Sequence, residues 1–556
     1  MMTKMKKISA VFLALLLVFF LSSCNASVTQ NGTTQASDAS VTADAANAAF
    51  SDGDNKDVTG ETPNAEITLS GAEGTISDTT RGSSGSVVTV TSKGIYRVTG
   101  SAENVTIEIN DANKSGNVYL VLDGVTITNN TSPCILVSNA DKVIIETVGS
   151  NSLTNANTDQ NASADGAIYS EDDLTLFGTG SLNVTSSLHG VVCENDLKIT
   201  GGTLGIDAGL IGLKSGDSVR VGGGSIIIKA QHDGIQVKND EKSGYFLIEN
   251  GVLTVNAGYD GISADAGFSA AEGTLTITAG GGSENVKNDS VSQKGIKCND
   301  LAVAGGFINV SSPDDAVNCK YFAIAGGNLT LSSSDDGIHA DSAIAVSGGE
   351  ICVAKSYEGF EAETIAIAGG NIRIYASDDG VNAAGGSDTS SQEKTPWQSG
   401  DSSTGSFSVS GGNLYVNADG DGLDTNGSFT VSGGTVIVEG PTDNGNGALD
   451  KGDGASCTAQ ITGGTVLALG SEGMAINFDS GSQCSALVRL SGGEGTTITV
   501  DDGSGFTFTT SKSFSTVVYS SPDLAKGKTY TITAGGVGAS IDFSKGLYYS
   551  DVPAMR

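Results

Sequence analysis

Between Gln293 and Ala384 one short pattern returns at a fixed period. Cut at its turns it reads KGIKCNDLAVAGGFINVSS, DDAVNCKYFAIAGGNLTLSSS, DDGIHADSAIAVSGGEICVAK and YEGFEAETIAIAGGNIRIYAS, and it opens a fifth time as DDGVNAA. The residue before each turn Gly (Ala316 in the second copy) is Lys294, Asp315, Asp336, Glu358 and Asp379, at spacings of 21, 21, 22 and 21. A period near 21 that contains no helix-length apolar pattern specifies a solenoid of short strands. Within a copy, strand alternation points Ile338 and Ala340 one way and His339 the other. The position three after the Gly is Cys193, Val237, Ala264, Cys298, Cys319, Ala340, Ala362, Ala383 and Thr425 across the copies, all small or apolar, which marks an inward stack at a tight corner. Ala323–Ala325 and Ile365–Ile367 run into Gly-Gly, and Leu329–Leu331 or Ile372–Ile374 follow. Each copy therefore predicts about three short strands and three turns, and coils stacked about 4.8 Å apart turn equivalent residues into ladders. The fold class is all-β, a parallel β-helix.

The rest of the chain fits one long solenoid with atypical ends. Lys4, Lys6 and Lys7 precede an apolar run from Ile8 to Leu21 and then Ser22-Ser23-Cys24. Residues 1–24 read as a secretory signal. The Leu-Ser-Ser-Cys ending resembles a bacterial lipobox, which makes Cys24 the lipidated first residue of the mature chain; ordinary cleavage nearby is the plainer alternative. One lipid anchors to a membrane without spanning it. Residues 25–64 are Ser, Thr, Asn, Asp and Ala with little to bury, the composition of a disordered tether. Strand-like runs start near Glu66, and the repeat is legible at Asp165-Gly166, His189-Gly190, Asp233-Gly234 and Asp260-Gly261. It lapses over 280–292 and 385–405 and resumes at Asp421-Gly422 and Gly447. The solenoid is thus expected over 65–483. Longer strands in 484–556 lose the period and are expected to form a capping β module, because an open solenoid end exposes strand edges and core.

With 78 Gly, 7 Pro and a net charge of −34, the chain is no match for nucleic acid or for anionic lipid. It is expected to be exported, held at the bacterial cell envelope by its lipid with the folded part outside, and monomeric. Seven cysteines remain once Cys24 is lipidated, an odd number that rules out a complete intrachain disulfide framework. Cys193, Cys298 and Cys319 fall on the inward stack as small apolar residues; a Cys298–Cys319 bridge between neighbouring coils is the less favoured alternative. No Cys/His spacing suggests a structural zinc site.

Chemistry belongs to the polar columns. The column before the turn Gly holds Asp233, Asp260, Lys294, Asp315, Asp336, Glu358, Asp379 and Asp421. The column two after it holds Gln236, Ser263, Lys297, Asn318, His339, Glu361, Asn382 and Asp424. Both read as outward rows of oxygen ligands of the kind that suits Ca²⁺. The densest group is Asp336, Glu358, Glu361, Asp378, Asp379 and Asn382, with Asp315, Asp421 and Asp424 continuing the rows. Carboxylates so close have raised pKa values unless a cation lies between them. Asp-Gly is also plain turn chemistry, with the Asp capping a backbone N–H and the Gly expected at positive φ. Glu358 and Glu361 argue for the metal, since Glu has no special turn role. Lys294 and Lys297 interrupt the acidic rows as binders of a sugar carboxylate, as the base of a lyase, or as lysines that relieve repulsion. Trp397 and Tyr357 offer faces for a sugar ring, and Trp397 equally suits pinning its loop. His189, His232 and His339 have no partner motif and read as polar turn residues.

The stretches DGIHAD at 336–341, SYEGFE at 356–361, DDGVNA at 378–383, GDGLDTN at 420–426 and GPTDNGNGALD at 440–450, with GTG at 178–180 and SSPDL at 520–524, are specific enough to compare. Over about Gly94 to Gly535 they resemble the bacterial carbohydrate-binding domain-containing proteins. That resemblance implies a right-handed, pectate-lyase-like parallel β-helix with bound calcium and affinity for polysaccharides, including acidic pectin-type ones such as polygalacturonate from plant cell walls. Its calcium role carries over only to the acidic turn positions. The first expectation is therefore a surface lipoprotein that binds polysaccharide through Ca²⁺. A calcium-dependent lyase using Lys294 or Lys297 is the second, and an envelope adhesin or spacer the third.

Overall fold

The computed structural model describes residues 50–384 and 405–552. Cys24 and Trp397 lie outside them. The chain divides into two compact units, residues 1–281 with 287–310, and residues 282–286 with 311–556.

In the first unit the repeating element is a three-sided coil in which each strand pairs in parallel with its equivalent one coil later. One side stacks Val143–Val148, Leu174–Gly178, Asp196–Ile199, Ser218–Val221, Tyr245–Ile248, Gly267–Ala270 and Asp300–Val303. A second stacks Ser150–Asn155, Ser181–Ser186, Thr203–Ala208, Ser225–Ala230, Val252–Ala257 and Thr274–Ala279. The third, which carries the polar columns, stacks Ile135–Asn139, Gly166–Ser170, His189–Cys193, Leu213–Ser215, Ile235–Val237, Ile262–Ala264 and Ile296–Lys297. A coil that the Asp-Gly signal misses sits at Ile211-Gly212-Leu213, where Ile replaces the acid. Alternation puts Val191, Leu213, Ile235, Ile262 and Ile296 in one fully buried ladder. Each such side chain contributes about 1.5–3 kcal/mol by leaving water.

Part of the expected tether is folded. Asp52–Asn55 forms a 3₁₀ turn, the Phe50 ring lies over Gly222, and Val58 packs with Tyr119, Val121 and Ile144. The outer face of this side is apolar at Val121 and Ile144, so it requires a cover. Asp54, wholly buried, accepts from Lys142 at 2.6 Å, Thr175 at 2.7 Å and Lys198 at 3.3 Å. Burial alone would raise its pKa, but Lys142, Ser51 and Thr175 hold the carboxyl well below the usual range. Composition hid this because one Asp and one Val do the anchoring.

In the second unit, Val317–Ile324, Ile338–Val346 and Phe360–Ile367 stack in parallel. Val381–Ala383 and Ser406–Val409 continue them, and Leu423–Thr425 pairs with Val381–Ala383. Another side stacks Asn328–Ser333, Glu350–Lys355, Asn371–Ala376 and Asn413–Ala418, extended by Ser428–Glu439 and Ala459–Gly470. Beside the parallel pairs of Ser480–Gly481 and Tyr548–Ser550, antiparallel pairing enters after Ala459–Gly470. Phe514–Ser520 lies between that strand and Ser485–Gly492, and Thr497–Val500, Thr507–Thr509, Thr529–Ala534 and Val537–Asp542 form a separate four-stranded antiparallel sheet. The seven cysteines of the described residues are all free, Cys298 and Cys319 included.

The turn glycines serve a purpose other than the expected one. Gly337, Gly359, Gly380 and Gly422 do not have positive φ. A Cβ on Gly337 would lie 2.7 Å from the Gly359 carbonyl and 2.6 Å from Val353 Cγ1, and those on Gly359, Gly380 and Gly422 would meet the next coil in the same way. At these four positions glycine is required by close stacking of successive coils, whereas Ala316 occupies the equivalent corner after Asp315. Positive φ belongs to the Gly-Gly corner, at Gly327, Gly349 and Gly370 with φ of 87, 91 and 87°.

Candidate metal and glycan site

The strand register aligns the two polar columns as the alternation predicts: Asn318, His339, Glu361, Asn382 and Asp424 are successive partners in the second unit. Lys214, Gln236, Ser263 and Lys297 are partners in the first. The column before the turn, however, is buried rather than outward: Asp233, Asp260, Lys294, Asp315, Asp336 and Glu358 all lie inside. The reason is a repeated hydrogen bond. One carboxylate oxygen accepts the backbone N–H of the equivalent residue one coil on: Asp233 from Asp260, Asp260 from Lys294, Asp315 from Asp336, Asp336 from Glu358, and Asp379 from Asp421. Asp421 takes the Gly447 N–H in the same way. Where the acid is His189, its Nδ1 accepts from Ile211. A side chain thus satisfies an amide that the tight turn leaves without a ladder partner.

The second oxygen faces the other column. Asp233 Oδ2 takes Gln236 Nε2 at 2.7 Å and Asp315 Oδ2 takes Asn318 Nδ2 at 2.8 Å. Glu358 Oε2 takes Asn382 Nδ2 at 2.8 Å from the following coil. These pairs close within the protein.

Among the described residues, three clusters gather candidate metal-ligand atoms. Asp379, Asp421 and Asp424 bring carboxylate oxygens within 4.8 Å of one another in a half-buried setting. Burial, then the charges of Asp421, Asp424, Glu358 and Asp378, push the Asp379 carboxyl up to about 9. Burial, opposed by the Gly447 N–H and reinforced by Asp424, raises Asp421 to about 7. Asp314, Asp315 and Asp335 form a second all-carboxylate group; Asp314 and Asp335 escaped the sequence reading because they stand one place ahead of the counted column. Asp336, His339 and Glu361 form the third, and all three are buried. His339 Nδ1 is hydrogen-bonded to Glu361 Oε2 at 2.6 Å and lies 3.4 Å from Asp336 Oδ2. Burial disfavours its charge, but Asp336 and Glu361 hold the imidazole up to about 11. The histidine taken for a turn residue is the centre of this group. The remaining two also have specific partners, His232 stacked on Tyr259 at 4.4 Å and His189 Nε2 3.3 Å from Asp165.

The dense group read from sequence is therefore divided. Asp336 and Glu361 join His339, Asp379 joins Asp421 and Asp424, and Glu358 pairs with Asn382. Asp378 hydrogen-bonds Tyr357 and thereby raises the phenol's pKa, while the Tyr357 side chain is 39% exposed. Lys297 extends to Ser292 Oγ at 3.2 Å, and Lys294 is buried, with its N–H on Asp260.

A model of the family described as carbohydrate-binding domain-containing protein matches residues 84–337 and 320–395, more than half of the chain. The chain belongs to this family. The match takes in every column residue from Asp165 to Asn382 and stops short of Asp421 and Asp424. A carbohydrate-binding domain-containing protein of Acetivibrio thermocellus is 38% identical over 129 residues, 22% of this chain and 45% of the relative. The chain thus spans less than half the length of the curated relative it matches. A solved structure described as a polysaccharide lyase-like protein from C. thermocellum, a gadolinium derivative, is 33% identical over 43% of this chain and 96% of its own, with a TM-score of 0.39.

Proposed function

We propose that this protein binds polysaccharide, of the acidic pectin type, at a β-helix face where calcium neutralises clustered carboxylates. Membership in the carbohydrate-binding family supports the first part. The observation that carries the second is the Asp379–Asp421–Asp424 group: three oxygen donors crowded enough to drive two carboxyls toward neutrality, at a half-exposed position. Ca²⁺ takes six to eight oxygens, water included, and an all-oxygen, partly wet donor set fits it. Asp314, Asp315 and Asp335 are likewise an all-oxygen set, with Asp314 and Asp315 buried. Bound calcium would supply positive charge to which a uronate carboxylate can attach, which is how so acidic a chain holds an acidic polymer. In the second unit the chain fixes the carboxylates through coil-to-coil hydrogen bonds to backbone amides and presents the exposed Tyr357 ring to a pyranose face; in the first unit it offers the Lys297 ammonium to a uronate. Trp397 is proposed as a further stacking residue, and lipid on Cys24 as the anchor that holds the protein at the cell envelope.

The test is thermal unfolding of the purified protein in chelator, in calcium, and in calcium with polygalacturonate. A ligand that binds only the folded state must raise its stability. Calcium should raise the transition, and polygalacturonate should raise it further only when calcium is present. No calcium shift would reduce the carboxylate columns to their amide-capping role, and a glycan shift in chelator would remove calcium from the binding step.

A further inference from the structure

The third group differs chemically from the other two, because it contains a nitrogen and is closed to solvent. Asp336 is 0%, His339 1% and Glu361 7% exposed. Within it Asp336 Oδ2 makes no hydrogen bond although it is wholly buried and 3.4 Å from His339 Nδ1. His339 Nε2 also makes no hydrogen bond, and the nearest carboxylate oxygen, Asp341 Oδ1, is 3.5 Å away. Leaving a buried carboxylate oxygen without a donor is unfavourable, so the position calls for a bound partner.

We propose that Asp336 Oδ2, Glu361 Oε2 and His339 Nδ1 form a binding site for one divalent transition-metal ion of the zinc class. Imidazole nitrogen is a ligand of zinc, copper, nickel and iron, whereas calcium takes oxygens and needs six to eight of them. A buried coil with three donor groups does not supply that number. Zinc binds nitrogen and carboxylate oxygen at about 2.0–2.2 Å with tetrahedral geometry, which sets ligand atoms about 3.3 Å apart. Asp336 Oδ2 and His339 Nδ1, at 3.4 Å, already have that separation. Glu361 Oε2, at 2.6 Å, has to draw back by several tenths of an ångström, a movement its rotatable side chain permits. Two carboxylates and a divalent ion leave the site neutral. A metal-binding His nearly always donates its other ring N–H to a carboxylate or carbonyl, and Asp341 stands beside Nε2 to receive it. Positions 318 and 382 of the same column are Asn, so the nitrogen ligand is particular to this coil. The site shares no ligand with the proposed calcium groups, although Asp315 of one of them accepts the Asp336 N–H.

The experiment is a titration of the chelator-stripped protein with Co²⁺. One equivalent should produce the visible d–d absorption of a nitrogen- and oxygen-bound ion, which Zn²⁺ displaces and a large excess of Ca²⁺ does not. His339→Asn, which installs the residue found one coil to either side of the His339–Glu361 pair, should weaken Co²⁺ binding by at least about 100-fold. Asp341→Asn should weaken it by about 10-fold, the scale of a lost outer-sphere partner. No absorption change, displacement by calcium, or the same affinity in His339→Asn would overturn the proposal and leave the imidazolium itself as the cation of this coil. If His339→Asn does not fold, X-ray absorption at the zinc edge of the unsubstituted protein decides, since one imidazole shell is required and its absence refutes the site. Calcium uptake measured in the same samples, with Asp424→Asn as its own variant, keeps failure here distinct from failure of the calcium reading.

Discussion

Raising the pH of the calcium-free protein should destabilise it, and calcium should lessen the effect. Asp379 and Asp421 are held up to about 9 and about 7, against about 3.9 for Asp in an unfolded chain. A carboxyl with a folded pKa above its unfolded one is fully stabilising below the unfolded value, and that contribution is lost as pH rises through the folded value. Between pH 5 and pH 8 a proton kept by the folded cluster but released on unfolding costs about 1.4 kcal/mol per pH unit, about 4 kcal/mol in all. The two carboxyls share one repulsion, so they count once, and partial exposure reduces the figure to about 2–4 kcal/mol. Calcium at 100 times its dissociation constant supplies about 2.7 kcal/mol, comparable in size and opposite in sign. The assay is calorimetric unfolding at pH 5, 6, 7 and 8, in chelator and in calcium. The transition should fall more steeply with pH in chelator than in calcium, where His339, held up to about 11, still contributes a fall, and Asp424→Asn should lessen the chelator slope. A transition that is level or rising with pH in chelator would refute the crowding argument, as would an equal fall in calcium.

Other perturbations follow from the same geometry. Gly359→Ala sets a methyl against the Gly380 carbonyl and Ile374, and should cost about 3 kcal/mol or more as a lowered unfolding transition; an unchanged transition would mean the coils can part at this corner. Asp54→Ala leaves Lys142 and Lys198 without their buried partner, and should cost about 3–5 kcal/mol and make residues 50–64 sensitive to limited proteolysis. Lys297→Ala should weaken polygalacturonate retention and lessen its dependence on salt without moving the unfolding transition; retention unchanged at low salt would exclude that ammonium from binding.

The period, the strand alternation and the identity of both polar columns were legible because a solenoid repeats its side-chain environment at each coil. Legibility ended where environments stop repeating. Whether Asp336 faces water or the interior depends on the amide of Glu358 in the next coil, a contact that no single repeat contains. The grouping of His339 with Asp336 and Glu361 rather than with solvent follows from the same inter-coil register. The Ile211 coil was invisible because the acid that marks the other turns is absent. The folded segment after Phe50 was missed because Asp54 finds Lys142 and Lys198 far along the chain, and composition carries no information about such partners.

The side-chain-free corner at Gly337, Gly359, Gly380 and Gly422 has a consequence for how chains of this kind can change. With no room at those four glycines for even a methyl group, that corner cannot absorb an insertion, and losing Ile338 would move His339 into the inward ladder and Ala340 out of it. Duplicating or deleting a whole coil leaves every register intact. The unit of heritable variation, and of any attempt to add or transplant an ion site, is therefore the complete coil from one such corner to the next, so ligand sets can be lengthened or shortened by counting coils.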